Sequence, residues 1–222
     1  MKSYKNIKIS DFVYDLPDSR IAKYPISNRD ESKLLLWQNG IIGQDIFKNI
    51  GKYIPENSIL VFNNTKVIHA RLFFTKSTGA KIEIFCLEPI KPNDYQIAFS
   101  EKQKVTWKCM IGNAKKWKDG ILVKKAKIEN SMVEIKARKV AQKENTFEIE
   151  FNWTGGFSFS EIIQHAGILP IPPYLNRETE ESDEITYQTV YAKIDGSVAA
   201  PTAGFHFTEN VLSDLAVKNI ET

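Results

Sequence analysis

The sequence is short of cysteine and of long hydrophobic runs. Its 222 residues include only two cysteines, and Cys86 and Cys109 have no CxxC spacing, so neither a zinc site nor a disulfide framework is indicated. We expect both thiols to be buried. The apolar run Ile59–Phe62 is far shorter than the roughly 20 residues that a membrane helix needs. The N-terminus also lacks an apolar signal core, so we expect a cytoplasmic protein without membrane contact.

Several common catalytic motifs are absent as well. No GxGxxG motif follows a predicted strand, which argues against cofactor binding of the Rossmann kind. The sequence has no P-loop, HExxH or GxSxG motif, so the commonest nucleotide hydrolases, zinc proteases and serine hydrolases are not supported. Any reaction catalysed by this chain needs a site of another design.

The composition is that of a folded protein whose positive charge is gathered in one segment. Hydrophobic residues make up 42% and aromatic residues 11% of the chain, which is ample for a core. The net charge is only +3, but residues 71–143 carry about twice as many basic as acidic side chains. Lysines often protect exposed or edge strands, and they also neutralise phosphates. Both interpretations of this basic segment remain open.

The first part of the chain has a mixed α/β pattern. Apolar residues predict a buried strand at Lys33–Trp37, an amphipathic helix near Gln44–Lys52 and a strand at Ser58–Phe62. From Val67 to Phe151 the pattern changes to short alternating runs parted by turn residues. These runs are KIEIFCLE, YQIAFS, KVTWKCMI, GILVKKAKI, MVEIKARKV and TFEIEF. Strands so short and so closely spaced predict a small closed or nearly closed barrel.

Helical signals return after the predicted barrel. Ser158 and Glu161 form a capping-box pattern before a helix that should end at Gly167, and Thr208 should cap a second helix. The predicted fold class is therefore an α/β (α+β) core domain with an inserted small all-β barrel domain. The predicted parts are residues 1–66 for the first part of the core, 67–152 for the Lys-rich barrel and 153–222 for the second part of the core.

Four polar segments combine ligand-type side chains with small or rigid neighbours, as a backbone approaching a ligand requires. The first is Arg29–Ser32, immediately before a predicted strand. The second is Asn63–Lys66, at the carboxyl end of a predicted strand, where ligands gather in open α/β sheets. The first segment could instead be a turn with a local Arg–Asp pair, and the second an Asn-rich linker between domains.

The other two segments lie toward the C-terminal end. Residues 165–174 and 187–191 bring prolines and paired tyrosines that could stack a base or a nucleoside, although such residues often simply pack in a core. Residues 199–207 form a loop broken by Gly and Pro that leads into a helix, which suits backbone N–H groups meeting a substrate. His206 is the only side chain of this loop able to exchange a proton near neutral pH. Its alternative role is structural.

These segments carry a resemblance to a known family. In order, DFVYDLP, NRDESKLL, VFNNTKVIHARL, GAKIEIF, HAGILPIPPYLNR, YQTVYA and VAAPTAGFHF resemble the motifs of the S-adenosylmethionine:tRNA ribosyltransferase-isomerase family. The resemblance covers essentially the whole chain and departs from the family pattern at His69, where Pro is usual, and at Phe205, where Leu is usual. Family members continue into a further segment with a Thr-Thr-Ser-Val-Arg stretch, so we expect this chain to be truncated at its C-terminus.

The resemblance implies a tRNA-modifying enzyme. Such an enzyme transfers and isomerises the ribosyl group of S-adenosylmethionine onto 7-aminomethyl-7-deazaguanine in the tRNA anticodon, giving epoxyqueuosine and releasing adenine and methionine. S-adenosylmethionine would be a consumed co-substrate, and no other cofactor and no metal are expected. The partners would be S-adenosylmethionine and this tRNA, and we expect a monomer.

Roles for individual residues are hypotheses that combine the resemblance with side-chain chemistry. His206 and Thr202 are the catalytic candidates, for proton transfer and for stabilising developing charge. The substrate-binding candidates are Arg29, Asp30, Asn63, Asn64, Thr65, Lys66, Arg71, His165, Pro173, Tyr174, Tyr187, Gln188, Tyr191, Ala200, Pro201 and Gly204. The alternative functions are a non-catalytic RNA-binding fragment and a plain small-molecule-binding protein.

Overall fold

The computed structural model describes residues 7–222, and the first six residues of the predicted core domain lie outside this range. The strands are β1 (Lys33–Gln38), β2 (Ile41–Ile46), β3 (Thr65–Val67), β4 (Arg71–Thr75), β5 (Lys81–Lys91), β6 (Lys104–Gly112), β7 (Ile121–Ile128), β8 (Ser131–Lys143), β9 (Thr146–Trp153), β10 (Gly167–Ile168) and β11 (Ile194–Ser197). The α-helices are α1 (Tyr95–Ser100), α2 (Phe159–Ala166), α3 (Asp183–Thr186) and α4 (Glu209–Val217). The 3-10 helices are Ile9–Phe12, Asp18–Arg20, Arg29–Glu31, Phe47–Lys52, Ala114–Lys116, Pro173–Leu175 and Thr202–His206.

Seven strands form a single antiparallel sheet in the order β10-β4-β5-β6-β9-β8-β7. The sheet is curled, because β4 and β7 contact each other although they lie near opposite ends of this order. The edge strands β7 and β10 are not paired with each other. The fold class is thus confirmed in its coarse form, a mixed α/β chain with a curled antiparallel sheet.

Helix α2 closes the open side of the curled sheet. It packs against β7 and β10, and its buried residues Phe159, Ile162, Ile163 and Ala166 belong to the same apolar core as the inward faces of the strands. Both bonds of the predicted capping box are present, since Ser158 Oγ accepts from Glu161 N and Ser158 N donates to the Glu161 carboxylate at 2.7 Å. The predicted helix and its end at Gly167 are therefore confirmed.

Two smaller sheets complete the described chain. Strands β1 and β2 form an antiparallel hairpin, and β3 pairs with β11 in parallel. Helix α4 begins at the predicted cap, because the Thr208 hydroxyl accepts from Val211 N at 3.3 Å. Its residues Val211 and Leu215 pack in a second apolar cluster with Phe47, separate from the core of the curled sheet.

One predicted strand of the barrel is wrong. The run YQIAFS is helix α1, and Asp94 caps it by accepting from Ile97 N at 2.9 Å. The helical arrangement turns Tyr95, Ala98 and Phe99 toward the core, where Tyr95 and Phe99 pack on the fully buried Trp107. The other five predicted runs are confirmed as β5 to β9.

Three expectations for the first part of the chain need correction. The predicted strand Ser58–Phe62 makes only an isolated parallel bridge between Ile59 and Glu221. The predicted helix at Gln44–Lys52 is instead the end of β2 followed by the 3-10 helix Phe47–Lys52. Strand β1 is present but not buried, because the side chains on one face of the hairpin are exposed, among them Trp37 at 73%.

The 3-10 helix after β2 begins next to Asp45, whose carboxylate accepts three hydrogen bonds. Asp45 accepts from Ile46 N, from Asn49 Nδ2 at 2.7 Å and from Tyr53 Oη at 2.6 Å. The Tyr53 hydrogen bond, with the other two, lowers the pKa of Asp45 to about 2. A continuous helix through Gln44 would lose this arrangement, which accounts for the difference from the prediction.

The two thiols are free and buried, as predicted. Cys86 and Cys109 lie on neighbouring strands with their sulfurs 3.9 Å apart. Burial raises the pKa of the Cys109 thiol.

Within residues 7–222, no helix is long and apolar enough to cross a membrane.

A buried ion pair ties the N-terminal segment to the segment before α3. Arg177 donates two hydrogen bonds of 2.7 Å to the Asp183 carboxylate, which is 1% exposed. Arg177 Nε also donates to the Lys23 carbonyl, and the guanidinium lies 4.5 Å from the Tyr24 ring centre. The Asp183 carboxylate accepts a third bond from Glu180 N. The Arg177 hydrogen bonds lower the pKa of Asp183.

Replacing Asp183 with Asn should lower the free energy of unfolding at pH 7 by about 3–5 kcal/mol, because Arg177 would lose its buried counter-ion. Since the folded-state pKa of Asp183 is depressed, its contribution is present above the unfolded pKa of about 4 and is lost as the pH falls through the folded value. Denaturant unfolding from pH 7 to pH 3 should therefore show the difference shrinking. Asp214→Asn, at an exposed position of α4, is the matched control. A D183N effect that does not change with pH would contradict this account.

Candidate active site

Gln188 joins the turn that contains Arg29 to the strand that follows the Asn63–Lys66 segment. The Gln188 side chain accepts from Val67 N at 2.9 Å and donates to Val67 O at 2.8 Å. The Gln188 main-chain carbonyl accepts from Arg29 Nη1 at 3.0 Å. Residues that are far apart in the sequence are thereby held next to each other.

His206 lies against the turn that contains Arg29. Its Nδ1 is 3.3 Å from the Arg29 carbonyl, and its ring packs on Phe47 with the ring centres 5.2 Å apart. A carbonyl only accepts, so a hydrogen bond here requires the tautomer with the proton on Nδ1, in which Nε2 is the free nitrogen. Beside it, Asp30 accepts from the Thr208 hydroxyl at 2.9 Å. The structure therefore brings Arg29, Asp30 and His206 together.

The loop of residues 200–206 holds its shape with its own backbone. Thr202 N donates to the Ala200 carbonyl and Gly204 N donates to the Pro201 carbonyl, both at about 2.9 Å or less. The Gly204 N–H is thus already engaged within the loop. Thr202 itself is exposed beside it.

Gly204 is required by the close approach of a tyrosine. A Cβ on Gly204 would overlap the Tyr191 hydroxyl and lie 3.0 Å from Thr189 Cγ2. The Tyr191 ring in turn packs on Phe62 with the ring centres 4.7 Å apart, and Tyr187 packs edge-on against Phe205. Burial raises the pKa of both tyrosines. The two rings form the packed wall behind the loop.

The Asn-rich segment is held in a turn that leads into β3. Asn63 Oδ1 accepts from Thr65 N at 2.9 Å and from Thr65 Oγ1 at 2.6 Å. The Asn64 carbonyl accepts from Lys193 N at 2.8 Å. The exposed Lys66 side chain follows at the rim of a polar cavity.

This polar cavity, of about 120 Å³, lies between β3, α2 and α3. Predicted residues Lys66 and Gln188 line it together with His69, Glu184 and Asp195. His69 Nδ1 is 2.8 Å from the Gln164 carbonyl, and its Nε2 is 3.5 Å from Glu184 Oε1. Sequence reasoning did not select His69, Glu184 or Asp195 for the site. The one feature of the sequence that pointed to this cavity was His69, which follows the Asn-rich segment closely and departs from the family pattern.

The remaining predicted residues lie elsewhere. Arg71 pairs with Glu83 at 3.0 Å and lines a separate cleft of about 420 Å³ with Phe73 and Lys81. His165 is on the exposed side of α2. Pro173 and Tyr174 are exposed in a 3-10 turn. Among residues 7–222, no group of three or more His, Cys, Asp or Glu side chains is arranged to hold a metal ion.

The chain is similar to proteins of one family along nearly its whole length. The queuosine biosynthesis protein family matches residues 9–222. Curated relatives named S-adenosylmethionine:tRNA ribosyltransferase-isomerase include those of Trichlorobacter lovleyi, 37% identical over 215 residues, and Aquifex aeolicus, 37% identical over 216 residues. Both matches cover 96% of this chain but only 57% and 58% of the relatives, so the chain spans a little over half of their length. The crystal structure of S-adenosylmethionine tRNA ribosyltransferase from Thermotoga maritima is 25% identical, with a TM-score of 0.33 over 95% of this chain and 55% of that one.

Replacing Gly204 with Ala should lower the free energy of unfolding by about 1–3 kcal/mol, because the added methyl group overlaps the Tyr191 hydroxyl. Removing that hydroxyl in the double variant Gly204→Ala/Tyr191→Phe should restore part of the stability. Gly196→Ala is the matched control, since a Cβ there would make only ordinary contacts of 3.9 and 4.0 Å. Urea unfolding of all four proteins measures the effect. A G204A protein as stable as the wild type would refute the close approach.

Proposed function

The chain belongs to the queuosine biosynthesis protein family, and from this membership we propose that it acts as an S-adenosylmethionine:tRNA ribosyltransferase-isomerase. The observation that carries the proposal is the continuous match to curated relatives of that name. The relatives extend well beyond the matched region, so the activity of the whole enzyme is part of the proposal for this chain.

The proposed reaction joins the ribosyl group of S-adenosylmethionine to 7-aminomethyl-7-deazaguanine in the tRNA anticodon. The positive sulfur acidifies the neighbouring 5′ carbon, so that one general base can begin the rearrangement that expels adenine. The amine of the modified base then attacks the ribosyl electrophile, and methionine leaves as the product becomes epoxyqueuosine. S-adenosylmethionine is consumed, and the proposal includes no metal and no redox cofactor.

We assign the general base to His206. Its Nδ1 is directed at the Arg29 carbonyl, so Nε2 is the nitrogen that would receive the proton. Arg29 and Asp30, in the turn beside it, would orient the ribose or the carboxylate of the substrate. The hydroxyl of the exposed Thr202, rather than the engaged Gly204 N–H, would donate to developing charge.

The other predicted residues are proposed to bind substrate around this centre. Asn63, Asn64, Thr65 and Lys66 would form one wall with Gln188, and Tyr187 and Tyr191 the other, supported by Ala200 and Pro201. Arg71, His165, Pro173 and Tyr174 lie outside this arrangement, and for them we propose contacts with the tRNA.

The curled sheet is proposed to be the tRNA-facing part of the molecule. We retain the division into residues 1–66, 67–152 and 153–222, with the Lys-rich barrel inserted into the core, as the domain arrangement that serves this function. The excess of basic side chains in the barrel suits phosphate binding. The enzyme is further proposed to work in the cytoplasm as a monomer.

One observation favours a second candidate function. Because the chain spans little more than half of its relatives' length, it could bind tRNA through the sheet without catalysing the reaction. Such a fragment would bind tRNA with steep salt dependence and release no adenine.

Mixing the chain with S-adenosylmethionine and tRNA that carries 7-aminomethyl-7-deazaguanine should release adenine, which chromatography measures. Replacing His206 with Asn keeps a donor for the Arg29 carbonyl but removes the base, so the rate should fall about 10²- to 10⁴-fold. Asp214→Asn, on the exposed side of α4, should leave the rate unchanged.

The relative from Trichlorobacter lovleyi serves as the positive control. If that relative releases adenine and this chain does not, the enzyme proposal fails and the RNA-binding function takes its place. An H206N protein that is folded, by its unfolding transition, and as active as the wild type would remove His206 from the mechanism.

A further inference from the structure

The lysines of the curled sheet differ in whether a glutamate lies close enough to form an ion pair. Four lysines on the strands are each paired with a glutamate nearby on the sheet. The neutralised cations, with one arginine among them, form the pairs Lys104–Glu150, Lys108–Glu88, Lys136–Glu134, Arg138–Glu150 and Lys143–Glu148, at 2.7 to 3.9 Å. Positive charge is therefore cancelled at these positions of the sheet, whereas the exposed Lys125 and Lys127 of β7 are in no ion pair within residues 7–222.

Three lysines without an ion pair lie close together in the loop between β6 and β7. Lys115, Lys116 and Lys118 are exposed, and none of the three is in an ion pair with any residue of the described range 7–222. Asp119 is the one acidic side chain in the loop sequence 113–120. Uncompensated positive charge thus accumulates at this end of the sheet.

The loop is fixed by its tryptophan. Trp117 is fully buried, and its indole N–H donates to the Gly120 carbonyl at 3.2 Å. The Lys139 ammonium donates to the Trp117 carbonyl and lies 4.8 Å from the centre of the Trp117 ring. The lysine backbones on either side of Trp117 are therefore held in place.

The turn between β4 and β5 adds to the same surface. Lys76 Nζ donates to the Lys116 carbonyl at 3.0 Å, and Asn113 Nδ2 donates to the Lys81 carbonyl at 3.1 Å. The first bond places the Lys76 ammonium at the loop, and the second holds the Lys81 backbone beside it. The resulting surface, which we call the basic platform, consists of Lys76, Lys81, Lys115, Lys116, Lys118 and Lys139.

We propose that the basic platform is the surface through which this chain holds the phosphate backbone of RNA. The inference rests on the proposed function, since it names the part of the curled sheet that the tRNA would contact. Uncompensated lysines supply affinity through counterion release, whereas strand lysines already paired with glutamate have less to gain. A loop ordered before binding loses little conformational entropy when it binds.

A membrane surface fits the platform less well. Peripheral membrane binding combines basic side chains with apolar side chains that enter the lipid. In the loop 113–120 the one large apolar side chain, Trp117, is fully buried. A loop with exposed lysines and a buried tryptophan suits the phosphates of a nucleic-acid backbone, which are accessible from solvent.

The test compares two triple variants with the same change in net charge. Lys115→Gln/Lys116→Gln/Lys118→Gln removes the exposed lysines of the platform, and Lys108→Gln/Lys136→Gln/Lys143→Gln removes lysines paired with glutamate. The Kd for tRNA is measured over a range of KCl concentrations. The platform variant should bind about 10- to 100-fold more weakly at low salt, and its salt slope should fall by about 2, at roughly 0.7–0.9 for each phosphate that is no longer neutralised. The control variant should change the Kd by less than about threefold.

The outcomes separate this inference from the proposed function. Equal weakening in both variants overturns the platform while adenine release still supports the enzyme. Selective weakening in the platform variant supports the platform, and if the wild type releases no adenine, only the enzymatic proposal fails. Wild-type binding to anionic phosphatidylserine vesicles, with no binding to tRNA, would overturn the platform as an RNA-binding surface.

Discussion

The pairing of one side-chain amide with one peptide unit holds the candidate site together. Gln188 satisfies both the N–H and the carbonyl of Val67, as a neighbouring strand would do, because an amide carries one acceptor and donors in the same plane. Its own main-chain carbonyl then receives Arg29, and the Arg29 carbonyl faces His206. The position of the proposed base therefore depends on a chain of polar contacts that begins at Gln188.

Part of the fold could be predicted from the sequence, because it depends on interactions between residues close together in the chain. The capping pair Ser158 and Glu161 determines where α2 begins, and the Thr208 hydroxyl does the same for α4, because unsatisfied N–H groups at a helix start need an acceptor nearby. Alternation of apolar and polar residues identified β5 to β9, since side chains of a strand point alternately to its two faces. These signals involve residues close in the sequence.

What the sequence did not reveal depends on distant partners. In residues 95–100, alternation and helical spacing are both compatible with the apolar residues, and the packing on Trp107 decides for the helix. The extended residues 58–62 lack a paired neighbour beyond one bridge, which no local pattern indicates. Among the residues that line the polar cavity, His69 contacts Gln164 and Glu184, which are remote along the chain. Local propensity carries no information about such meetings.

The paired ends of β4 and β10 have a mechanical consequence. The chain enters the curled sheet at Arg71 and leaves it at Ile168, and these two residues stand opposite each other. The two chain segments that connect the curled sheet to the rest of the protein therefore run side by side at Arg71 and Ile168. A rotation of the sheet would bend the backbone at this one place, which we call the crossing. Strand β4 leads from the crossing to the turn that carries Lys76, a lever of about 15 Å at roughly 3.3 Å per residue. A small rotation at Arg71 would move the basic platform at the far end several times further than the residues beside the crossing.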